Sequence, residues 1–529
     1  MSIDTTRPYG HLLAKMSRRQ LLDIAWKLGA AAALPLTTGV AWAQPLFRNY
    51  PFSLGVASGD PWPTSVVLWT RLAPEPLEGG GMPAANVEVS WQLATDRTFR
   101  TIVQSGTAIA RPELGHSVHV EADGLAPGRE YFYRFRCGGE VSQVGRTKTA
   151  PAPGTPVDRL RFGVCGCSQY ETGYFSAYGR VADEMFDFVF HTGDYIYEGR
   201  GDANRNPNNV RRHLGQEIFT LVDYRNRYAQ YKSDPDLIAA HLSAPFVMAW
   251  DDHEVDNDYA GDHDERDSPP EVFLLRRAAA YQAYYETMPV RPSMLPNGPN
   301  LRLYRRLQFG NLIDMPVLDT RQYRSKQAAC GDPVKCPELL DVRRTILGEA
   351  QEKWLFGALA EARSTWTVIG QQVPTFARDM ASVNPAARYS VDKWDGYAES
   401  RNRLFAHLRD AKTPNPIVLS GDVHTHWCAD LKVDFTKPES PTIGVEFTSS
   451  SVTSGGGGSE VQPAWETMRR DNPHITFHSN KRGYIACTAT AATMKADFRV
   501  VDRVTLPNQP ARTARTMVVE AGRPGSTTS

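Results

Sequence analysis

Six stretches of this sequence close an apolar run with side chains that bind cations or move protons. In chain order they are Cys165-Gly166-Cys167-Ser168-Gln169, Gly193-Asp194-Tyr195-Ile196-Tyr197, Asp251-Asp252-His253-Glu254, Leu318-Asp319-Thr320-Arg321, Gly370-Gln371-Gln372 and Gly421-Asp422-Val423-His424-Thr425-His426. A carboxylate such as Asp194 can bridge two cations. The phenol of Tyr197, three residues on, can serve as a hard anionic ligand for a ferric ion. Taken singly, the second stretch reads equally well as a turn, with the Asp capping a helix and the Tyr packed at a rim. Six successive endings of this kind point instead to one shared site that holds metal.

The elements that must position these residues follow from the pattern between them. Strand-like runs recur at residues 160–164, 186–190, 246–250, 312–318, 365–370 and 417–419, with helical stretches between several of them, as at 274–287 and 347–363. That alternation predicts α/β organisation, which gathers chemistry beyond the carboxyl ends of its strands. Before it, from about residue 47 to 150, the texture is all-β. Residues 66–71, 87–93 and 131–135 are rich in aromatic and β-branched side chains and are separated by Gly/Pro turns. This predicts a small β-sandwich over 44–150 resembling a fibronectin type III module, with a packing or substrate-framing role, closed by the Pro-rich linker Thr149-Ala150-Pro151-Ala152-Pro153-Gly154.

At 529 residues the chain is too long for one ordinary core. Its 59 basic and 59 acidic residues balance, so no charge excess points to nucleic acid or to an anionic membrane surface. Residues 1–43 read as an address. Ser17-Arg18-Arg19-Gln20-Leu21-Leu22 is a twin-arginine pattern, an apolar stretch follows, and Ala41-Trp42-Ala43 supplies a cleavage site. The apolar stretch is too short for a comfortable membrane span, which predicts export by the twin-arginine machinery to the periplasm or exterior. Of seven Cys, Cys330 and Cys336 enclose a short turn-rich loop and suit a disulfide in an oxidising compartment. The tail from 506 to 529 reads as disordered or as a cover folded back on the molecule.

The order of these motifs resembles the calcineurin-like metallophosphatase arrangement, and the Gly-Asp-x-x-Tyr variant is shared with purple acid phosphatases. More closely, the chain resembles the PhoD-type alkaline phosphatases. Further signatures are Trp250-Asp251-Asp252-His253-Glu254-Val255-Asp256-Asn257, Leu318-Asp319-Thr320-Arg321-Gln322-Tyr323-Arg324, Trp394-Asp395-Gly396-Tyr397 and Asn480-Lys481-Arg482-Gly483-Tyr484. The resemblance implies a four-layer metallophosphatase β-sandwich core flanked by helices over residues 155–505. It also implies a binuclear site. One metal would take Cys167, the bridging Asp194, Tyr197 and His424, a set that suits Fe³⁺. The other would take Asp194, Asp252, Gln371 and Asp422, all oxygen donors, which favours Ca²⁺ over Zn²⁺. A second Ca²⁺ is implied, with Asp251 and Asn257 as candidates. Cys165 reads as a buried thiol.

The expected activity is hydrolysis of small phosphate monoesters and diesters, with a hydroxide on the metals attacking phosphorus in line. His253 is expected to contact the phosphate or protonate the leaving oxygen, or else to hold Asp252 or Asp194 in place. Arg321 is expected as a phosphate contact or a buried ion pair. His426 and Trp427 are candidates for the site rim or for packing. The alternatives are a diester-preferring phosphodiesterase or phospholipase, and a non-catalytic exported binding protein on the same fold.

Overall fold

In a computed structural model the described residues are 47–201 and 209–529. The leader read in residues 1–43 lies outside them. Two β-sheets share one long strand, Ile475–Ala489. Its first residues pair with His426–Lys432 in one sheet, and its last pair with Leu160–Cys165 and Thr493–Val501 in the other.

In the first sheet Leu160–Cys165, Phe188–His191 and Phe246–Met248 lie side by side and parallel. In the second, Ile313–Val317, Trp366–Gly370, Pro416–Ser420 and Thr442–Thr448 are parallel neighbours. Six of these strands lie within two residues of the limits expected from sequence, and Thr442–Thr448 was not among those expected. They are buried almost throughout, which is why they read as near-continuous apolar runs.

Side-chain alternation along each strand builds the layers. Val368 and Leu419 enter the core that also holds Phe162, Phe188 and Phe190 of the first sheet. Their neighbours Ile369 and Val418 face the other way, onto Leu355 and Leu359 of helix Gly348–Glu361 and onto Leu404 and Leu408 of helix Ala398–Asp410. Tyr178, Tyr228, Leu237 and Tyr281 bring four further helices, Ser176–Asp183, Leu221–Lys232, Pro235–Ser243 and Pro270–Thr287, into the core of the first sheet.

The N-terminal region splits its strands between two sheets. Val87–Ala94, Ile102–Ala110 and Glu130–Cys137, with the short strands Glu140–Val141 and Gly145–Lys148, form a separate five-stranded sheet. Val56–Gly59, Val66–Arg71 and Ser117–Ala122 instead continue the first large sheet through a parallel contact of Gly59 with Phe246. Gly59 is required there, since a Cβ would run into the backbone oxygen of Pro289. Through those three strands the region is continuous with the main sheet.

The tail expectation is also corrected. Ala511–Glu520 and Arg523–Thr528 are strands that extend the first sheet beyond Thr493–Val501. Residues such as Met517 and Val519 are buried in that sheet's core, so the segment has an apolar face to cover. Cys330 and Cys336 form a disulfide. Among the described residues no helix is long and apolar enough to cross a membrane.

Candidate metal centre

Because the parallel strands of each sheet point the same way, their carboxyl ends converge, and glycines let them approach. A Cβ on Gly166 or on Gly421 would collide with Thr192 Oγ1, and a Cβ on Gly193 would collide with the Asp251 backbone. Each of these glycines directly precedes a candidate ligand: Cys167, Asp422 and Asp194. Those three residues and His424 all hold left-handed backbone, with φ of 56°, 67°, 53° and 57°. Asp and His visit that region more readily than Cys does, and such strain collects where function over-determines a position.

The side chains meet in three overlapping groups. Ligand atoms of Cys167, Asp194 and His424 lie within 4.8 Å of one another, as do those of Asp194, Asp252 and His253, and those of Asp251, Asp252 and Asp422. Tyr197 closes the first group, with Oη donating to Asp194 Oδ2 at 2.9 Å and standing 3.1 Å from His424 Nε2. Ser454 Oγ lies 2.6 Å from Tyr197 Oη and 2.7 Å from the Cys167 carbonyl. Asp194 Oδ1 and Asp251 Oδ2 are buried without a hydrogen-bond donor. Buried carboxylate oxygens without donors are costly unless a cation satisfies them. The residues present therefore fit a metal centre.

The charges agree. Burial pushes the Cys167 thiol far up, and Asp194, Asp422 and Asp251 add to the shift. Burial likewise raises the Tyr197 phenol, with Asp194 and Cys167 adding. Asp251 is raised by burial against the pull of Arg321. In Asp252 the same burial is outweighed by Arg321 and His253, so its carboxyl is held low. A bound cation would favour thiolate, phenolate and carboxylate together.

Gln371 does not join the group. Its Oε1 accepts from the Val373 amide at 3.1 Å and from Trp394 Nε1 at 3.2 Å, while its Nε2 donates to the Val373 carbonyl and to Thr375 Oγ1. The amide shapes the turn after its strand and has no free oxygen lone pair. Asp251 stands with Asp252 and Asp422 instead. Asn257 Nδ2 donates to Glu265 at 2.8 Å.

Arg321 as a phosphate contact is likewise corrected. It is fully buried, and its Nε, Nη1 and Nη2 go to Asp251, to both oxygens of Asp392 and to Asp422. It is the counter-charge beneath the carboxylates. His426 and Trp427 are fully buried, with His426 Nδ1 accepting the Ser450 amide, so they pack and do not line a rim. Cys165 is buried and stands outside all three groups.

Several residues act here that sequence reasoning passed over. Glu198 pairs with His253. Glu254 accepts the backbone amides of Asp194 at 3.0 Å, Asp251 at 2.7 Å and Tyr195, so one carboxylate fastens two strand ends. Lys393 Nζ lies 2.5 Å from the Asp422 carboxylate and 2.8 Å from Asp392. Glu254 sits inside a motif already singled out, Glu198 directly follows another, and Lys393 directly precedes Trp394-Asp395-Gly396-Tyr397. Ser454, in a Ser/Gly run, carried no signal.

A fold of two such sheets with this site is that of a phosphatase family. Residues 162–498 match the PhoD-like phosphatase family and residues 39–151 match the PhoD-like phosphatase N-terminal domain. The chain belongs to that family. Among curated proteins, alkaline phosphatase D of Bacillus subtilis (strain 168) is 48% identical over 515 residues, covering 96% of this chain and 88% of the relative. Among solved structures, that of PhoD superposes with a TM-score of 0.89 at 48% identity, covering 92% of this chain and 93% of the other.

Proposed function

We infer that the protein is an exported, metal-dependent phosphoesterase that hydrolyses phosphate monoesters and diesters; its relative is named an alkaline phosphatase. The single observation that carries the metal dependence is the convergence of Cys167, Asp194, Tyr197 and His424 on one side and of Asp251, Asp252 and Asp422 on the other, with buried carboxylate oxygens left without donors. We assign Fe³⁺ to the first set, since thiolate, phenolate and imidazole suit a ferric ion, and Ca²⁺ to the second, with Asp194 between them and Asp251 replacing Gln371. Bound cations at such a site supply Lewis acidity toward phosphoryl oxygens and lower the pKa of water.

The chain's own residues divide the remaining work. His253 is within reach of Asp194 and Asp252 and is the proton donor to the leaving oxygen, held charged by Glu198. Arg321 and Lys393 fix the carboxylates against one another. Glu254 fixes the loop that carries Asp194.

The same reading takes residues 1–43 as a twin-arginine leader and 44–150 as a fibronectin III-like module, supported by its division into a three-stranded and a five-stranded part. It takes 155–505 as a four-layer metallophosphatase domain whose sheet runs on through the last strands.

Metal analysis of purified protein with a visible spectrum, together with turnover of a monoester and a bis-ester of one chromogenic phenol, tests the proposal. Iron with calcium, a coloured protein and turnover of both esters are expected. Zinc alone without colour overturns the metal assignment. Retained biological activity in Asp194→Asn without ester turnover would favour a binding protein.

A further inference from the structure

Asn480-Lys481-Arg482-Gly483-Tyr484 and the glycine run at 455–458 hold none of the candidate ligands, yet the two meet beside the metal centre. Arg482 lies at the middle of Ile475–Ala489, the strand shared by the two sheets, and is 3% exposed. It donates only to uncharged oxygens. Nε reaches the Gly456 carbonyl at 2.9 Å, and Nη2 reaches the Asn480 carbonyl at 3.0 Å and Asn480 Oδ1 at 3.2 Å. Nη1 goes to the His424 carbonyl and, at 3.2 Å, to Ser451 Oγ. A guanidinium carries enough donors in a fixed plane to hold several carbonyls at once.

The glycines let their loop lie on this side chain. Gly458 holds left-handed backbone, and a Cβ there would stand 1.9 Å from the Asn480 carbonyl oxygen and 2.8 Å from Arg482 Nη2. The serines before the run carry the grip onward. Ser450 Oγ donates at 2.9 Å to the His424 carbonyl, the same oxygen that Arg482 bonds. Ser451 Oγ donates to the Ser454 carbonyl at 2.6 Å, and the Ser451 carbonyl accepts the Gly483 amide at 2.9 Å. Ser454 Oγ then stands between the Cys167 carbonyl and Tyr197 Oη. Arg482 is thereby tied to His424 directly and to Cys167 and Tyr197 through two serines. Burial lowers the guanidinium to about 10, while Cys167 and Tyr197 act on it through space in the opposite direction. A thiolate and a phenolate are the anions that this buried cation otherwise lacks.

We propose that Arg482 is the positioning residue for the Cys167, Tyr197 and His424 side of the centre, locking the His424 backbone and the serine-glycine loop so that Ser454 presents its hydroxyl to Tyr197. The proposal rests on the reading of those three residues as holding a transition metal.

Release of the transition metal from purified, metal-loaded enzyme into excess chelator tests it, followed by metal analysis with the visible spectrum and a thermal melt recorded alongside. Three variants are compared with the parent. Arg482→Met removes fork and charge, Arg482→Lys keeps the charge alone, and Ser454→Ala removes only the final hydroxyl. Release is expected to be about 10- to 100-fold faster in Arg482→Met and in Ser454→Ala, the range found for groups that orient metal ligands, with Arg482→Lys between Arg482→Met and the parent. The visible band of Ser454→Ala should move to longer wavelength, because a phenolate that loses a hydrogen-bond donor gives up charge more readily. An arginine that serves the fold alone would lower the melting temperature and leave release and band where they are in the parent. Parent-like release in Arg482→Met overturns the proposal. Should that variant fail to fold, parent-like release in both Arg482→Lys and Ser454→Ala overturns it. A parent enzyme with no transition metal overturns the reading of the site, and the proposal with it.

Discussion

Glu198 Oε2 stands 2.7 Å from His253 Nδ1, and the other oxygen of that carboxylate accepts the Asn257 amide at 3.0 Å. The imidazole is further held by the Tyr197 ring, with centroids 4.0 Å apart. Burial alone would push His253 down, yet Glu198, with Asp194 and Asp252, raises it well above the ordinary imidazole range. In Glu198 the cost of burial is outweighed by His253, and its carboxyl falls to about 2. With His253 raised, its contribution to stability is complete below the ordinary histidine pKa and is lost as pH climbs through the raised value. With Glu198 lowered, its contribution holds above the ordinary glutamate pKa and is lost as pH falls toward about 2.

Glu198→Gln is therefore expected to shift the alkaline limb of the kcat/KM profile to lower pH and to reduce kcat about 10- to 100-fold, in the range found for groups that orient a reactive residue. His253→Ala should cost about 10²- to 10⁴-fold. Nearby cations lower His253 in both proteins, so the comparison is made on metal-loaded enzyme. An unmoved alkaline limb in Glu198→Gln would show that another group sets it.

Cys167 and Asp252 lie in different groups of the centre, so their loss is expected to be separable. Cys167→Ala should lose iron and visible colour. Asp252→Asn should keep the colour and lose calcium. Metal analysis of the two variants beside the parent checks this, and loss of both metals in both variants would contradict two distinct sides.

Gly421 faces Thr192 across the convergence of the strand ends. Gly421→Ala should destabilise the fold by about 1–3 kcal/mol through overpacking. Thr192→Ala in the same chain should recover part of that loss. Thermal melts of both single variants and of the double variant give the coupling, and strict additivity would mean that the clash is relieved elsewhere.

Glu446 is fully buried, and its carboxylate accepts the amides of Thr375 and Phe376 and the hydroxyl of Ser420. Burial raises it to about 7 despite those bonds. A carboxyl raised on folding is a stabilising term at low pH that is lost as pH rises from its unfolded value, about 4.3, to about 7. Denaturant titrations between these pH values should show Glu446→Gln with a flatter pH dependence than the parent, and equal slopes would refute the assignment.

Arg321 balances Asp251, Asp252, Asp392 and Asp422. Arg321→Met is expected to cost about 3–5 kcal/mol, the scale for breaking a buried ion pair. The penalty should be larger in chelator-treated protein than in metal-loaded protein, because bound cations share the neutralising task. Paired melts with and without calcium measure the difference, and an equal loss in both would argue against cations at these carboxylates.

The sequence by itself determined the strands and their polar endings. Parallel strands buried on both faces must be apolar runs, and the residue that follows each run can be named from its position alone. Cys167, Asp194, Tyr197, Asp252, Asp422 and His424 lie within those endings, and the resemblance to the PhoD-type phosphatases singled them out as ligands, while the pairing of Cys330 with Cys336 was legible from the short loop between them. The twin-arginine pattern is legible too, because an address is read as a linear string.

Only the tertiary structure decided which candidates face one another. Gln371 and Asp422 end neighbouring strands, yet the amide turns back on Val373 and Thr375 while the carboxylate turns to Asp251 and Asp252. Arg321 read equally as a phosphate contact or a buried ion pair until four carboxylates were found around it. Lys393 comes from a distant loop, and the glycines at 166, 193 and 421 have meaning only where three strand ends crowd against Thr192 and Asp251. The physical reason is common to all of these. Strand position is a local property of the chain, whereas side-chain direction, charge compensation and close approach depend on neighbours far away in sequence.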